Sequence, residues 1–347
     1  MKNILFITCS RIGDAVLTAG ILAEIERRYP SAKVTIAVDP LPAPLFEDYP
    51  LLDGFIVFAK ERHSKHWLTL WKQVFKKRWD WVIDLRGSAI SYGLWAKKRS
   101  VWKSKPGDPR HKVEQVSALV GFETSNPTLW FSKERLSRLS SSNPTLSSSD
   151  SPLSSSDLFR GSKDSCNKCE NDEEMPSYLA VAPAANWIGK QWPIESFTEL
   201  LKRFMEKYLD AKVAVFAAPH EKNIVEPMLK ELPADRVLSL IDSGLSLADT
   251  AACIKQCKAF IGNDSGLMHI AAAVGTPTIG LFGPSREKNY GPWQTSGDTR
   301  NIVVRIPLTY DELKETPGFS HQSRDCYMRD LTVNKVWLTL DQLWKDI

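Results

Sequence analysis

The residues best placed for chemistry lie in one short stretch, AFIGNDSGLMHIAAAV, from Ala259 to Val274. A brief apolar run ends at Gly262-Asn263-Asp264-Ser265-Gly266, and a helix rich in small residues follows. A parallel strand that turns directly into a helix aims free N–H groups and the positive end of the helix dipole at the carboxyl edge of its sheet. That edge is where α/β proteins hold phosphorylated ligands. Gly262 and Gly266 would let a phosphate approach the backbone, and Asp264 and Ser265 can cap the helix or hydrogen-bond a sugar. His269 falls four residues after Ser265, on the same helical face. On spacing alone, a capped strand–turn–helix with a packed histidine explains the stretch equally well.

A second strand–helix junction lies near the start, where Ile4 to Thr8 precedes Ser10-Arg11-Ile12-Gly13-Asp14. There the helix dipole attracts a carboxylate, and position alone reads Asp14 as a helix cap. This turn holds one glycine, so it lacks the GxGxxG pattern of a dinucleotide enzyme. Between Lys60 and Lys112 stand fifteen Lys and Arg residues against four Asp and Glu, in a chain whose net charge is only +4. Such a field suits an anionic partner (nucleic acid, an acidic lipid head group or a phosphorylated glycan) or a solvated basic face. The six cysteines show no paired spacing apart from Cys166-Asn167-Lys168-Cys169, and that CxxC has no second pair or histidine to complete a zinc site. The apolar run at Ile4 to Ile7 is too short for a signal-peptide core, and no run is long enough to span a bilayer. A reducing, cytoplasmic location is therefore expected.

These residues need strands and helices to hold them, and the hydrophobic periods supply both. Strands are expected at Lys33–Val38, Gly54–Phe58 and Trp81–Leu85, with helices over about Ala15–Arg28 and His66–Lys77. The helix near His66 carries Trp67, Leu70, Trp71, Val74 and Phe75 on one face, with Lys72, Lys76, Lys77 and Arg78 beside them. That basic amphipathic pattern fits either core packing or an anionic membrane surface. From 137 to 176 serine repeats replace apolar residues, which reads as a flexible linker or insertion. After Tyr178 five more strands alternate with four helices. A final helix near Asn334–Asp346 carries Val336, Trp337, Leu340, Leu343 and Trp344 on one stripe. The fold class expected is α/β, with two Rossmann-like domains built on parallel sheets. Residues 1–136 form the first domain, 137–176 the linker and 177–330 the second domain. The helix in 331–347 is expected to bridge the domains by packing back on the first.

At this point the residues resemble a known family. Ser10-Arg11-Ile12-Gly13-Asp14, Lys190-Gln191-Trp192-Pro193, Gly262 through His269 with Ala271-Ala272, and Leu281-Phe282-Gly283-Pro284 are similar to blocks of the bacterial lipopolysaccharide heptosyltransferases. Those are family-9 glycosyltransferases that use ADP-heptose. Cys326-Tyr327-Met328-Arg329-Asp330 is a weaker fifth block, and the likeness covers nearly everything except the serine-rich tract.

The resemblance implies a GT-B plan, two Rossmann-like domains facing across a cleft, and inverting transfer of a heptose-like sugar from an ADP-sugar to the lipopolysaccharide inner core. The acceptor would be lipid A–Kdo or its extension. By resemblance Asp14 becomes the general base and Lys190 neutralises the departing nucleotide. Asp264 meets sugar hydroxyls, the Ser265 and Gly266 amides meet phosphate, and His269 serves as a hydrogen-bonding imidazole. Glu221 grips the ribose. At Ala184-Ala185 the chain departs from members that carry hydroxyls, and Asn186 or backbone amides would substitute. Lys60, Arg62, Lys65, Arg86, Lys97, Lys98 and Arg99 supply the field for an anionic, lipid-anchored glycan, with Lys60, Arg62, Lys65 and Arg86 as the acceptor-binding set. Peripheral contact with the cytoplasmic face of the inner membrane is expected, and no nucleic-acid partner. No Asp-x-Asp triplet occurs, so neither a metal site nor a required cofactor is expected. Two alternatives stand beside this reading: a related transferase for another nucleotide sugar, and a catalytically idle relative that binds nucleotide or glycan.

Overall fold

The computed structural model describes residues 1–61, 64–105, 107–140, 177–295 and 298–347. They divide into two compact units, Met1–Phe131 with Lys288–Thr295, and Ser132–Glu287 with Ser296–Ile347. Arg62 and most of the expected linker, with its CxxC, lie outside the described residues.

The first unit runs β1 (Asn3–Ile7), α1 (Ile12–Arg28), β2 (Lys33–Val38), β3 (Leu52–Val57), α2 (Lys65–Val74), β4 (Trp79–Asp84), β5 (Ala96–Val101) and α3 (Lys112–Val120). Its five strands lie in the order β3-β2-β1-β4-β5, all parallel. The chain winds outward from β1 through β2 and β3, then returns to the other side of β1 as β4. The carboxyl ends of β1 and β4 therefore flank a point where successive connections part, leaving a crevice for a ligand. The apolar stripe of α1 is buried as its spacing requires.

Strand β5, Ala-Lys-Lys-Arg-Ser-Val, was not expected from hydrophobic pattern, because its charges mark a sheet edge rather than a ligand field. Lys97 pairs with Asp80 at 2.8 Å. Lys98 lies 3.8 Å from the centroid of the Trp81 ring and donates to the Val120 carbonyl. Arg99 donates to the carbonyls of Ser91, Leu94 and Ala96. These three cations are tied to their own unit.

The second unit runs α4 (Lys133–Ser140), β6 (Tyr178–Ala182), α5 (Ile194–Lys207), β7 (Lys212–Val215), α6 (Lys222–Glu231), β8 (Val237–Ser239), α7 (Leu247–Gln256), β9 (Ala259–Asn263), α8 (Gly266–Ala273) and β10 (Thr278–Phe282). A short helix, α9 (Glu287–Tyr290), then opens at the end of this run, and all of it after Glu287 falls in Lys288–Thr295, which belongs to the first unit. There the Asn289 amide donates to the carbonyls of Asp108 and Arg110, and Trp293 donates to Asn126. The chain finishes the second unit with β11 (Asn301–Arg305), α10 (Tyr310–Glu315) and α11 (Val333–Asp346). Its six strands are parallel in the order β11-β10-β9-β6-β7-β8. Here the switch point falls between β6 and β9.

Two boundary expectations need correction. The first unit ends its main run at Phe131 rather than 136 and takes in Lys288–Thr295. Helix α11, expected to bridge the domains, belongs to the second unit and joins its core. Trp344 meets Phe204 of α5 edge-on at 4.8 Å, and Asp341 accepts from the Tyr208 hydroxyl at 2.8 Å. The apolar stripe was read correctly; α5, itself strongly amphipathic, is the surface that covers it. No helix among the described residues is long and apolar enough to cross a membrane.

Candidate active site

At the switch point of the second sheet, the loop after β6 and the turn after β9 are stitched together. Asn263, the last residue of β9 and fully buried, accepts from the Trp192 amide at 3.0 Å and donates to the Pro183 carbonyl at 2.7 Å. The Trp192 indole donates to the Leu331 carbonyl, and Tyr327 donates its amide to the Gly189 carbonyl. These bonds set the loop that carries Lys190. Its ammonium meets Asp264 at 2.5 Å, with the lysine side chain 26% exposed and the carboxylate 7%.

Ser265 occupies the N-cap position of α8, yet its side chain makes no capping bond. Its hydroxyl is buried and has no partner among the described residues, and the same holds for Ser285 just beyond β10. Buried hydroxyls are normally satisfied. The Ser265 hydroxyl therefore stands uncommitted at the amino end of α8, next to Asp264 and its ion pair with Lys190. His269 lies buried on α8. Gly266 is the first residue of that helix, so its amide is among those with no intrahelical acceptor.

Gly262 has a different role from the one its type suggested. A Cβ there would stand 2.8 Å from the Ala182 carbonyl oxygen and 3.0 Å from the Phe260 ring, so the glycine serves packing within the sheet. Glu221 is the last residue of a short 3-10 turn, and its Oε2 accepts from the Ala218 amide at 2.8 Å, a local capping duty. Asn186 is exposed two residues past the buried Ala184. Among the described residues no group of three or more His, Cys, Asp or Glu side chains gathers as a metal ligand set would.

In the first unit Asp14 sits in the first turn of α1, whose N-cap position is Arg11. It is therefore not the plain N-cap, and its carboxylate has no hydrogen bond or ion pair among the described residues. Around it stand groups that sequence alone did not single out. Lys112, the first residue of α3, is 9% exposed, and its ammonium lies 3.5 Å from the centroid of the Trp102 ring. Burial pulls its pKa below the usual lysine value, against the attraction of the Asp14 carboxylate. Cys9 is pushed up to about 12, chiefly by burial and then by the negative charge of Asp14, so it stays a thiol.

Asp84 ends β4, fully buried, and accepts from the amides of Arg86 and Ser88 and the hydroxyls of Ser88 and Ser91. That web aims Arg86, whose guanidinium lies 4.8 Å from the centroid of the Trp67 ring and 5.0 Å from that of Phe58. Its Nη1 is buried without a partner, as is the Thr8 hydroxyl at the end of β1. Arg86, Lys112 and Thr8 thus leave donors uncommitted at this sheet edge, in the same region as the Asp14 carboxylate. Lys60 and Lys65 are exposed and carry no ion pair among the described residues.

The family model for glycosyltransferase family 9 (heptosyltransferase) matches residues 67–304, more than half of the sequence. The chain belongs to glycosyltransferase family 9. The lipopolysaccharide heptosyltransferase 1 of Pseudomonas aeruginosa is 27% identical over 82% of this chain and 79% of its own. The lipopolysaccharide heptosyltransferase 2 of Salmonella typhimurium is 24% identical over 98% of both. The solved structure of E. coli ADP-heptose lps heptosyltransferase II overlays with a TM-score of 0.71 at 20% identity, covering 100% of this chain and 99% of that one. The two Rossmann-like domains expected from the sequence are thus the fold of this family-9 glycosyltransferase.

In this glycosyltransferase the sequence-selected residues divide by unit. Lys190, Asp264, Ser265, Gly266 and His269 gather at the second switch point, with Asn186 on the same loop as Lys190. Asp14 and Arg86 mark the first. Lys112, Thr8 and Ser285 were missed. Lys112 carried a signal in Glu114, whose carboxylate accepts from the His111 amide and closes a capping box at the start of α3. The two hydroxyls carried none, since only the folded chain shows them buried and unpartnered.

Proposed function

We propose that this chain transfers a heptose from ADP-heptose to the inner core of lipopolysaccharide, on lipid A–Kdo or its extension, with inversion at the anomeric carbon. The observation that carries this reading is the Lys190–Asp264 pair at the second switch point, beside the amino end of α8 and an uncommitted Ser265 hydroxyl. A nucleoside diphosphate fits there. Lys190 and the free amides at Ser265-Gly266 would balance charge as ADP departs, when that charge is largest. Asp264, drawn from its ion pair, would accept from sugar hydroxyls. Asn186 supplements the phosphate contacts, Glu221 reaches the ribose and His269 hydrogen-bonds the donor.

On the first unit Asp14 takes the proton from the acceptor hydroxyl as that oxygen attacks the anomeric carbon. A new carbon–oxygen bond forms and the bond to ADP breaks in one displacement, with no sugar–enzyme intermediate. Arg86, Lys112 and Thr8 would hold an acidic group of the acceptor, with Lys60, Arg62 and Lys65 supplying the wider field. A lipid-anchored acceptor of this kind places the chain in the cytoplasm, peripheral to the inner membrane.

Leaving-group charge is assigned to Lys190 and the helix end, so EDTA should leave the transfer rate intact; loss of rate with rescue by Mg²⁺ would overturn that part. The whole reading is tested by a donor panel on a lipid A–Kdo acceptor. ADP-heptose should be used and should compete with ADP but not with UDP or GDP. Preference for a UDP- or GDP-sugar would replace the donor, and no transfer from any donor would leave an idle binding relative.

A further inference from the structure

The outer side of α2 and the chain around the 3-10 turn Ala89–Gly93 expose an unusual amount of aromatic surface. Trp95 is 66% exposed, Tyr92 61% and Leu68 55%, whereas α2 turns His66, Leu70 and Val74 into the core. These groups are linked by direct contacts. The Trp71 indole donates to the Gly93 carbonyl at 3.2 Å, which sets Tyr92 beside the helix, and Trp71 stacks on Phe75 at 4.4 Å. The Arg78 guanidinium lies 5.2 Å from the Trp95 ring centroid and the Lys76 ammonium 5.8 Å from that of Phe75. No carboxylate occurs between Ser64 and Trp79 in the sequence. Lys72, Lys76 and Arg78 are exposed and form no ion pair among the described residues.

We infer that this face, lined by Leu68, Lys72, Lys76, Arg78, Tyr92 and Trp95, docks the protein on an anionic bilayer surface. The inference rests on the reading of a lipid-anchored acceptor given above. Amphipathic Trp and Tyr rings seat at the head-group boundary, and long basic side chains reach anionic phosphates around them. A second copy of the chain is a poor occupant, since a two-fold contact would set these unpaired cations against their own kind.

The test is co-sedimentation of the full chain with vesicles of phosphatidylethanolamine and phosphatidylglycerol, against vesicles of phosphatidylcholine alone. Wild type should bind the first and not the second, and added salt should weaken binding. Replacing Lys72, Lys76 and Arg78 by Gln should lower the partition by roughly five-fold per charge, about 100-fold in all. Tyr92→Ser with Trp95→Ser should lower it at high salt as well. Unchanged melting temperatures would show that the variants fold.

Both variants should transfer heptose at the wild-type rate to a lipid-free, deacylated acceptor. Equal binding to neutral vesicles, variants that bind like wild type, or a dimer in sedimentation velocity that Trp95→Ser dissociates would each overturn the inference. A wild-type chain that transfers heptose but ignores both vesicles sinks the surface alone. One that binds anionic vesicles through these residues yet transfers nothing supports the surface and sinks the proposed function.

Discussion

Lys190→Met separates what the Lys190–Asp264 pair does for the fold from what it does for transfer. The substitution strands a carboxylate that is 7% exposed, while the lysine it loses was 26% exposed. Breaking a fully buried pair costs about 3–5 kcal/mol because the remaining charge is desolvated, and an exposed pair is worth about 0–1 kcal/mol. This pair lies between those limits, so a loss of about 2 kcal/mol is expected. For a domain of its size class that lowers the melting temperature by roughly 4–8 °C. Adding Asp264→Asn removes the stranded charge and should restore most of that loss, giving a coupling of about 1–2 kcal/mol in the double-mutant cycle. Turnover should behave otherwise. Each single variant should lose ~10²–10³ in kcat, as for removal of one preorganised group that stabilises charge, and the double variant should not recover. Calorimetric melting and initial rates of ADP release from ADP-heptose read the two effects separately. If the double variant melts as low as Lys190→Met, or if Lys190→Met keeps the wild-type rate, the argument from this pair is wrong.

Three further outcomes follow from the geometry. Asp14→Asn should cut turnover by ~10²-fold or more while ADP affinity measured by calorimetry stays unchanged; equal turnover would mean that another group takes the proton. His111 caps α3 by accepting from the Val113 amide, and its other ring nitrogen meets the Gly291 carbonyl at 3.1 Å. Burial holds its pKa below the ordinary 6.5, outweighing the Gly291 carbonyl and Glu114, which favour the proton. The folded chain therefore resists a proton that the unfolded chain accepts. This stabilisation is complete above about pH 6.5 and is lost as pH falls through the lower, folded-state value. Urea midpoints from pH 7 to 5 should fall less in His111→Asn, which keeps a capping side chain, than in wild type. Gly262→Ala places a methyl 2.8 Å from the Ala182 carbonyl at the centre of the second sheet and should cost about 1–3 kcal/mol; a variant as stable as wild type in urea would show that the sheet yields there.

Much of the framework was legible in the chain because periodicity and turn chemistry are local. Val16, Leu17, Ile21, Leu22 and Ile25 recur at helical spacing, and α1 buries them all. Strands β1, β2, β4, β6, β9 and β10, which are the buried centres of their sheets, stood out as short apolar runs. Strand β5 did not, since an edge strand keeps its charges in water and lacks that signature. Helix α3 also escaped notice, because its N-cap is a histidine rather than Ser, Thr, Asp or Asn. In the candidate site, Asp264, Ser265, Gly266 and His269 could be selected together because they share one turn and the helix after it.

By itself the sequence determined the alternation of strand and helix, the two turns that aim helix amino ends at sheet edges, and the family likeness in the blocks around Asp14, Lys190 and His269. Those features depend on residues a few positions apart, where backbone geometry leaves little choice. The tertiary structure alone decided the strand orders, and with them the two switch points. It alone brought Lys190 to Asp264 across 74 positions. It also put Lys112 and Arg86 in the region of Asp14, buried the orphan hydroxyls of Thr8, Ser265 and Ser285, and seated α11 on α5. Such pairings follow from which strands neighbour one another and which apolar faces cover each other, and many orders of the same strands satisfy the local pattern equally well.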